Sequence, residues 1–171
     1  ANFGIPCKRL PTYFSMISDS GQQEAVPKQI QGPVFVSSEE TAGSFWGPTN
    51  FNPYQEFAAR QPAHVVAGEL LEFDGAFDVA RLAAVSHYMT VSRLLRSGKT
   101  DDAIAQAETA VALDPNSMSA HMALANAYAA AHQPAEGTQE FNAAKQLYEG
   151  IPAEFAKTVG APVNPLAPPG Q

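Results

Sequence analysis

Cysteine and charged side chains are scarce in this chain of 171 residues. Its one cysteine, Cys7, excludes an intramolecular disulfide and a cysteine-based metal site, and it leaves the redox compartment open. Charged residues make up 16% of the sequence, below the roughly 25% of typical soluble domains, which together with 14 prolines indicates much irregular chain. The net charge is -7 and no basic cluster is present, so the composition argues against nucleic acid and anionic membranes as partners.

Long hydrophobic runs are missing as well. The longest weakly polar stretch, residues 119–131, is interrupted by His121 and Asn126 and is shorter than the roughly 20 residues that span a bilayer. The first residues, ANFGIPCKRL, lack the charged start and apolar run of a signal peptide. We therefore expect no membrane span here. Because the chain opens without Met, we expect a processed product or a piece of a longer protein.

Catalytic and metal-binding motifs are also absent. The sequence has no P-loop, no Gly-x-Gly-x-x-Gly and no Gly-x-Ser-x-Gly, and no two histidines have His-x-x-x-His spacing. Asp74 and Asp78 lie four residues apart, which suits a turn followed by a helix cap at least as well as an acid-base pair. The sequence therefore predicts a chain that is not an enzyme and that needs no cofactor and no metal.

The chain does contain an internal repeat with a period of 34 residues. Residues 87–115 read HYMTVSRLLRSGKTDDAIAQAETAVALDP, and residues 121–149 read HMALANAYAAAHQPAEGTQEFNAAKQLYE. Such a fixed period indicates helical hairpins that each pack on a neighbour. The period and pattern resemble tetratricopeptide (TPR) repeats. His87 and His121 then occupy equivalent places between the two helices of a hairpin, and we favour a structural role for both over a ligand or base role.

Capping signals divide the region after Gly75 into four helices and a short fifth one, over about residues 152–158. The expected start and end signals are Asp78 and Gly98 for the first helix, Thr100 and Pro115 for the second, Ser117 for the third, and Pro134 and Gly150 for the fourth. Two hairpins alone are marginal, since repeat arrays usually need about three units. We therefore expect the fifth helix to cap one end and the N-terminal segment to pack on the first hairpin.

Short apolar runs and turn signals predict an α/β unit before Gly75. Strands are expected at 33–38 and over 64–73, with another at 12–17, and short helices at 39–45 and 53–60. The order strand, helix, helix, strand permits a parallel pair. The predicted fold class is therefore mixed: a small α/β segment, residues 1–77, packed on an all-α TPR hairpin stack, residues 78–159, with repeats at about 84–117 and 118–151. Residues 160–171 are expected to form a Pro-rich flexible tail.

The TPR resemblance implies a concave protein-binding groove lined by the first helix of each hairpin. By alignment, its lining is Val85, Tyr88, Ser92, Leu95, Arg96, Ser119, Met122, Asn126, Ala129 and Ala130. Some TPR proteins grip a peptide carboxylate with basic residues and Asn, but only Arg96 and Asn126 would suit that role, so we do not expect such a clamp. The apolar to neutral lining suits an amphipathic helix or the protein's own N-terminal segment, and we expect the latter to occupy it.

Several short motifs in the first half carry a second resemblance. They are FGIPC at 3–7, GPVFVS at 32–37, NPYQEF at 52–57, RQP at 60–62 and FDGAFD at 73–78. In series they resemble the region after the last membrane span of bacterial polytopic, dolichyl-phosphate mannosyltransferase-like proteins, which often end in TPR repeats. The resemblance implies a non-catalytic, extracytoplasmic or periplasmic C-terminal part of a membrane glycosyltransferase, associated with the membrane only through a missing N-terminal part.

Two other functions stay open at this point. One is a stand-alone small-molecule binding or hydrolytic domain that uses the aromatic loop 45–57 and the carboxylates Glu39, Glu40 and Asp74, although a core role for the loop's aromatic residues is the preferred interpretation. The other is a structural unit that forms a homodimer. The leading hypothesis is a protein-protein interaction module whose partner the sequence does not identify.

Overall fold

A small antiparallel β region precedes a stack of four long helices in this computed structural model, which describes residues 8–13, 24–46 and 51–167, apart from the side chains of residues 158 and 159. This arrangement confirms the mixed fold class predicted from the sequence. No helix among the described residues is both long and apolar enough to cross a membrane.

The β region consists of two small sheets. Its five strands are β1 (Gln29–Gln31), β2 (Val34–Ser37), β3 (His64–Val66), β4 (Leu70–Phe73) and β5 (Ala76–Asp78). One sheet pairs β1 with β5, and the other has the order β2-β4-β3. Every pair is antiparallel, with Val36 opposite Leu71 and Val65 opposite Leu71 in the larger sheet.

The predicted parallel pair was therefore wrong. Strands β2 and β3 do run in the same direction, but β4 lies between them. A tight turn after β3 places β4 in that position, because Ala67 and Gly68 both have positive φ values, 50° and 83°, that reverse the chain. Strands at 33–38 and 64–73 were predicted correctly, whereas β1 and β5 were not predicted at all.

Two short helices, α1 (Ser38–Ala42) and α2 (Gln55–Ala58), lie between β2 and β3. Ser37 caps α1, since its hydroxyl accepts a hydrogen bond from the Glu40 N–H at 3.3 Å. The N-cap residue of α2 is Tyr54, and the side-chain oxygen of the buried Asn52 accepts from the Tyr54 N–H at 2.9 Å. The strand predicted at 12–17 is not seen at residues 12 and 13, and residues 14–17 lie outside the described part of the chain.

One hydrophobic core joins the β region to the first long helix. Phe57, Phe73 and Phe77 pack with ring centroids 4.9 to 5.2 Å apart around Phe57, and Leu82 of that helix belongs to the same cluster. The Val26 N–H also donates to the buried Ser86 hydroxyl at 3.0 Å. The expected packing of the N-terminal segment on the first hairpin is confirmed.

The helical stack contains α3 (Ala80–Arg96), α4 (Thr100–Leu113), α5 (Met118–Ala130) and α6 (Pro134–Glu149). The predicted cap Ser117 is confirmed, because its hydroxyl accepts from the Ala120 N–H at 3.2 Å, and Pro134 opens α6 as predicted. The cap of α3 is Val79 rather than Asp78, although the Asp78 carboxylate still accepts from the Ala80 N–H at 3.1 Å.

The turns inside the two hairpins are the same structure repeated after 34 residues. In the first, Gly98 has a φ of 70°, and the Gly98 and Lys99 N–H groups donate to the carbonyls of Leu95 and Leu94. In the second, His132 has a φ of 60° and makes the equivalent bond to Ala129, while Gln133 donates to Tyr128. Both are Schellman caps. Because this turn is compact, Thr100 is the first residue of α4 and not its cap. The predicted cap was therefore wrong.

Helices α3 and α4 pack against each other, as do α5 and α6, and α5 lies against both α3 and α4. The interface between the hairpins is a cluster of small and branched side chains. Its buried members are Val91, Ala103, Ala107, Leu124 and Ala127. Alanines on α4 let the helices approach closely, and Leu124 of α5 fills the space between them. This interface is what the 34-residue period predicted.

The chain continues beyond α6 as a short helix and a turn. Ile151 is buried, α7 (Ala153–Val159) follows, and the Ala156 carbonyl accepts from the Tyr148 hydroxyl of α6 at 3.4 Å. The predicted fifth helix is thus present. Residues 160–167 then lead to a turn that places Leu166 beside Gly137 of α6, a contact that the sequence did not predict.

Candidate functional site

The two equivalent histidines each connect the helices of their own hairpin, as predicted. His87 Nδ1 lies 2.7 Å from Gln106 Oε1, and His121 Nδ1 lies 2.6 Å from Glu140 Oε2. Both partners are 19 residues further along the chain, so the 34-residue period extends to a hydrogen bond between side chains. These histidines hold the hairpins that carry the predicted groove.

The second pair differs from the first in its charge. His121 Nε2 also lies 3.0 Å from the Pro115 carbonyl, and the Glu140 side chain is only 16% exposed. The Glu140 carboxylate offers His121 an anionic acceptor, whereas the Gln106 amide offers His87 a neutral one. The second hairpin therefore has a charge-assisted bond where the first has a neutral one.

The predicted groove lies along the neighbouring helices α3 and α5, which carry all ten of its residues. Four of them, Ser92, Arg96, Asn126 and Ala130, are exposed. Five are half-buried: Tyr88, Leu95, Ser119, Met122 and Ala129. Val85 is only 5% exposed and offers no surface to a ligand, so its assignment to the groove lining was wrong. The remaining nine give a surface with small and neutral side chains and one cation.

Tyr88 connects the two sides of this groove. Its phenol is hydrogen-bonded to the Ser119 side chain of α5, and its ring packs on the small buried cluster of Ala84, Ala110 and Ala120. Burial raises the pKa of the Tyr88 phenol well above its ordinary value of 10. The role of Tyr88 is therefore mainly structural. The exposed positions beside it are better probes of binding.

The aromatic loop that the alternative function would use belongs largely to the core. Tyr54 and Phe57 are 2% and 0% exposed, and the Tyr54 hydroxyl donates to the Pro11 carbonyl at 2.6 Å. Glu40 is buried, and its carboxylate accepts a hydrogen bond from the Trp46 indole N–H. This carboxylate is thus engaged within the fold. The core interpretation of the aromatic loop is confirmed for Tyr54, Phe57 and Trp46, which belong to the core cluster or pack against it.

Glu39 and Asp74, the other two carboxylates of that alternative, are exposed. Across the described ranges, no group of three or more His, Cys, Asp or Glu side chains could hold a metal ion. Of the three carboxylates, Glu40 contacts the aromatic loop through Trp46, and it is buried in that contact.

A surface depression of about 320 Å³ lies between α3 and α4. Arg93 and Asp102 give it opposite charges, and Ala25 of the N-terminal segment forms part of its wall. It contains neither the aromatic loop nor the residues of the groove. It therefore supports neither of the two binding sites considered from the sequence.

A second candidate surface, not found by sequence reasoning, is an apolar patch on the larger sheet. We call Phe35, Val66 and Leu70 the sheet patch; their exposed fractions are 50%, 40% and 39%. The strand register places these three side chains on the same face, whereas Val65, which is 60% exposed, lies opposite Leu71 on the other face. Clusters of exposed apolar side chains often mark interaction surfaces. The adjacent valines of β3, apolar on both faces, were the available signal.

The structure thus leaves two candidate surfaces, the predicted groove along α3 and α5 and the sheet patch. Comparisons of this chain with protein-family models, with curated proteins and with solved structures found no match.

Proposed function

We propose that this chain is a non-catalytic protein-protein interaction module of the TPR type, and that its binding surface is the groove along α3 and α5. The observation that carries the proposal is the repeated hairpin, in which the first helices lie side by side and the turn and the histidine bond recur after 34 residues. Stacked hairpins of this kind expose one continuous concave surface.

The chemistry of the groove favours a partner helix with an apolar stripe. Leu95, Met122 and Ala129 offer half-buried apolar surface, whereas Ser92 and Asn126 offer small polar groups. Methionine adapts its shape to different apolar partners. An amphipathic helix would bury its stripe on the three apolar residues and leave its polar side in water.

The module would be the extracytoplasmic, periplasmic part of a longer membrane glycosyltransferase-like protein. The series of motifs between residues 3 and 78 supports this parent. The genomic sequence directly upstream of this segment tests it: several hydrophobic segments of roughly 20 residues support the parent, and a start codon immediately before Ala1 contradicts it.

Capture experiments with exposed groove residues test the binding surface. Ser92→Arg with Asn126→Arg places two long cations in the groove, at positions where no buried contact is lost. The matched control is Thr109→Arg with Asn142→Arg, which adds the same charge at exposed positions of α4 and α6. A partner identified by mass spectrometry is then purified and its affinity measured for each variant.

We expect the groove variant to bind that purified partner at least tenfold more weakly than the control variant does. Equal affinities of the two variants would reject the groove. In that case a Phe35→Ser, Val66→Thr variant shows whether the sheet patch carries the contact. Sedimentation of the chain alone shows whether a homodimer forms.

A further inference from the structure

The outer face of the second hairpin has an indentation at Gly137 of α6. This glycine is buried, and a Cβ built on it would lie 3.2 Å from Leu166 Cδ1, 3.4 Å from the Ala125 carbonyl oxygen and 3.6 Å from the Ala129 nitrogen. The absence of a side chain therefore leaves room between α6 and α5 that the end of the Leu166 side chain partly occupies.

The 34-residue period explains why a side chain from outside the second hairpin packs on α6 at Gly137. Gly137 is equivalent to Ala103 of α4, which is fully buried in the cluster that joins the first hairpin to Leu124 and Ala127 of α5. At the corresponding place on the second hairpin, a next hairpin would pack in a longer array. In this chain Leu166 contacts the face that a next hairpin would cover.

A defined turn presents this leucine. The Asn164 side-chain oxygen accepts from the Leu166 N–H at 2.9 Å, and the Asn164 carbonyl accepts from the Ala167 N–H at 3.3 Å. Asparagine turns of this kind fix the backbone locally, and the intervening Pro165 restricts it further. Residues 160–167 carry no charged side chain, so the contact rests on shape and apolar burial and not on ionic attraction.

We propose that the face around Gly137 is a docking site for a leucine-bearing turn, and that the chain occupies it with its own residues 164–167. The same turn supplied as a separate peptide binds there once the chain's own leucine is removed. This site is centred on α6 and not on the groove along α3 and α5, although the backbone of Ala129 borders it. Its test does not depend on the function proposed above.

The test uses the full chain with the substitution Leu166→Asp, labelled with ¹⁵N, and a synthetic peptide of residues 160–171. Peptide is added to about 5 mM, because short tethers give effective concentrations in the millimolar range that a free peptide must match. We expect chemical-shift changes at the amides of Gly137 and its neighbour Thr138 on α6 that saturate with peptide. The unsubstituted chain should respond severalfold more weakly, since its own turn competes.

The same peptide carrying Leu166→Asp is the matched control, and it should cause no saturable change. Equal responses to the two peptides, no response at Gly137, or changes centred on Ser92 and Leu95 of the groove would each overturn the proposal. If Leu166→Asp lowers the helical circular dichroism of the chain, Leu166→Ala gives the same test with a milder change.

Discussion

Leu124 lies at the interface between the two hairpins and holds them together by its packing. It is 3% exposed and packs with Val91 of α3 and with Ala103 and Ala107 of α4. Leu124→Ala removes three carbon atoms from this interface, which at about 0.8 kcal/mol for each buried methylene gives about 2.4 kcal/mol. The cavity left between helices that cannot close fully adds to this value, so we expect a loss of about 3 kcal/mol.

Urea unfolding measures this loss with two independent probes. Circular dichroism at 222 nm follows the helices, and the fluorescence of Trp46, the only tryptophan in the sequence, follows the N-terminal region. With a urea dependence of about 1 to 3 kcal/mol per M, a loss of about 3 kcal/mol should lower the midpoint by about 1 to 3 M. Both probes should shift together, because Leu82 of α3 belongs to the core of the β region.

Asn126→Ala, on the exposed side of the same helix, is the control and should change the stability by less than about 0.5 kcal/mol. If Leu124→Ala changes the stability by less than about 1 kcal/mol, Leu124 does not hold the two hairpins together. If only the circular dichroism transition moves while the Trp46 transition stays in place, the helical stack and the β region unfold separately, which contradicts the shared core.

Three further perturbations test other parts of the structure. Gly98→Ala should destabilise the protein by about 1 kcal/mol in urea, because an L side chain strains the left-handed position, whereas His132→Ala should be nearly neutral at the equivalent position. Glu140→Gln converts the second histidine pair into the neutral form and should lower the stability by about 1 kcal/mol; an unchanged midpoint contradicts the charge-assisted bond. Burial, and next the Glu108 carboxylate 2.9 Å away, raise the pKa of Tyr128 to about 12. Stability should therefore be lost as the pH rises from about 10 to about 12. Urea titrations at several pH values should show a smaller loss of stability with pH in the Tyr128→Phe variant.

The sign of the Tyr128 effect follows from proton binding. Above pH 10 the unfolded chain releases the phenolic proton while the folded protein keeps it, so the unfolded state binds fewer protons and the free energy of unfolding falls. This contribution is fully present below pH 10 and is lost as the pH passes through about 12. A slope that is identical in the Tyr128→Phe variant would show that other groups cause the alkaline loss.

The helical half of the fold was predictable because its signals are local. Gly98 and Ser117 each act on residues within one helical turn, and the 34-residue period repeats the same local pattern. The order of the hairpins then followed from their need to cover each other. Errors were limited to single residues, such as the cap of α4.

The β region was predicted less well because strand pairing is not local. Gln29–Gln31 and Ala76–Asp78 are only three residues long and pair across almost fifty positions, so neither shows a pattern of its own. The direction of β4 depended on a turn at Ala67, whose positive φ is unusual for a residue with a side chain. The sheet patch could not be located until the register was known.

The candidate sites show the same division. Nine of the ten residues that the repeat alignment assigned to the groove lie at least partly exposed on α3 and α5, whereas Val85 is buried, because the alignment carries no information about burial. The contact of Leu166 with Gly137 depends on a turn at Asn164 and on a missing side chain at Gly137, much earlier in the chain. No sequence pattern joins those two features.

Photo-crosslinking from α5 directly tests whether the groove along α3 and α5 binds a protein partner. A benzoylphenylalanine at position 126 replaces the exposed Asn126 on α5, and the same group at position 142 on α6 is the control. In the native host, we expect one dominant protein to be crosslinked from position 126 and no such product from position 142. The crosslinked segment of that protein should have the apolar spacing of an amphipathic helix. Equal crosslinking from both positions, or none from position 126, would contradict the groove as the functional surface of this protein.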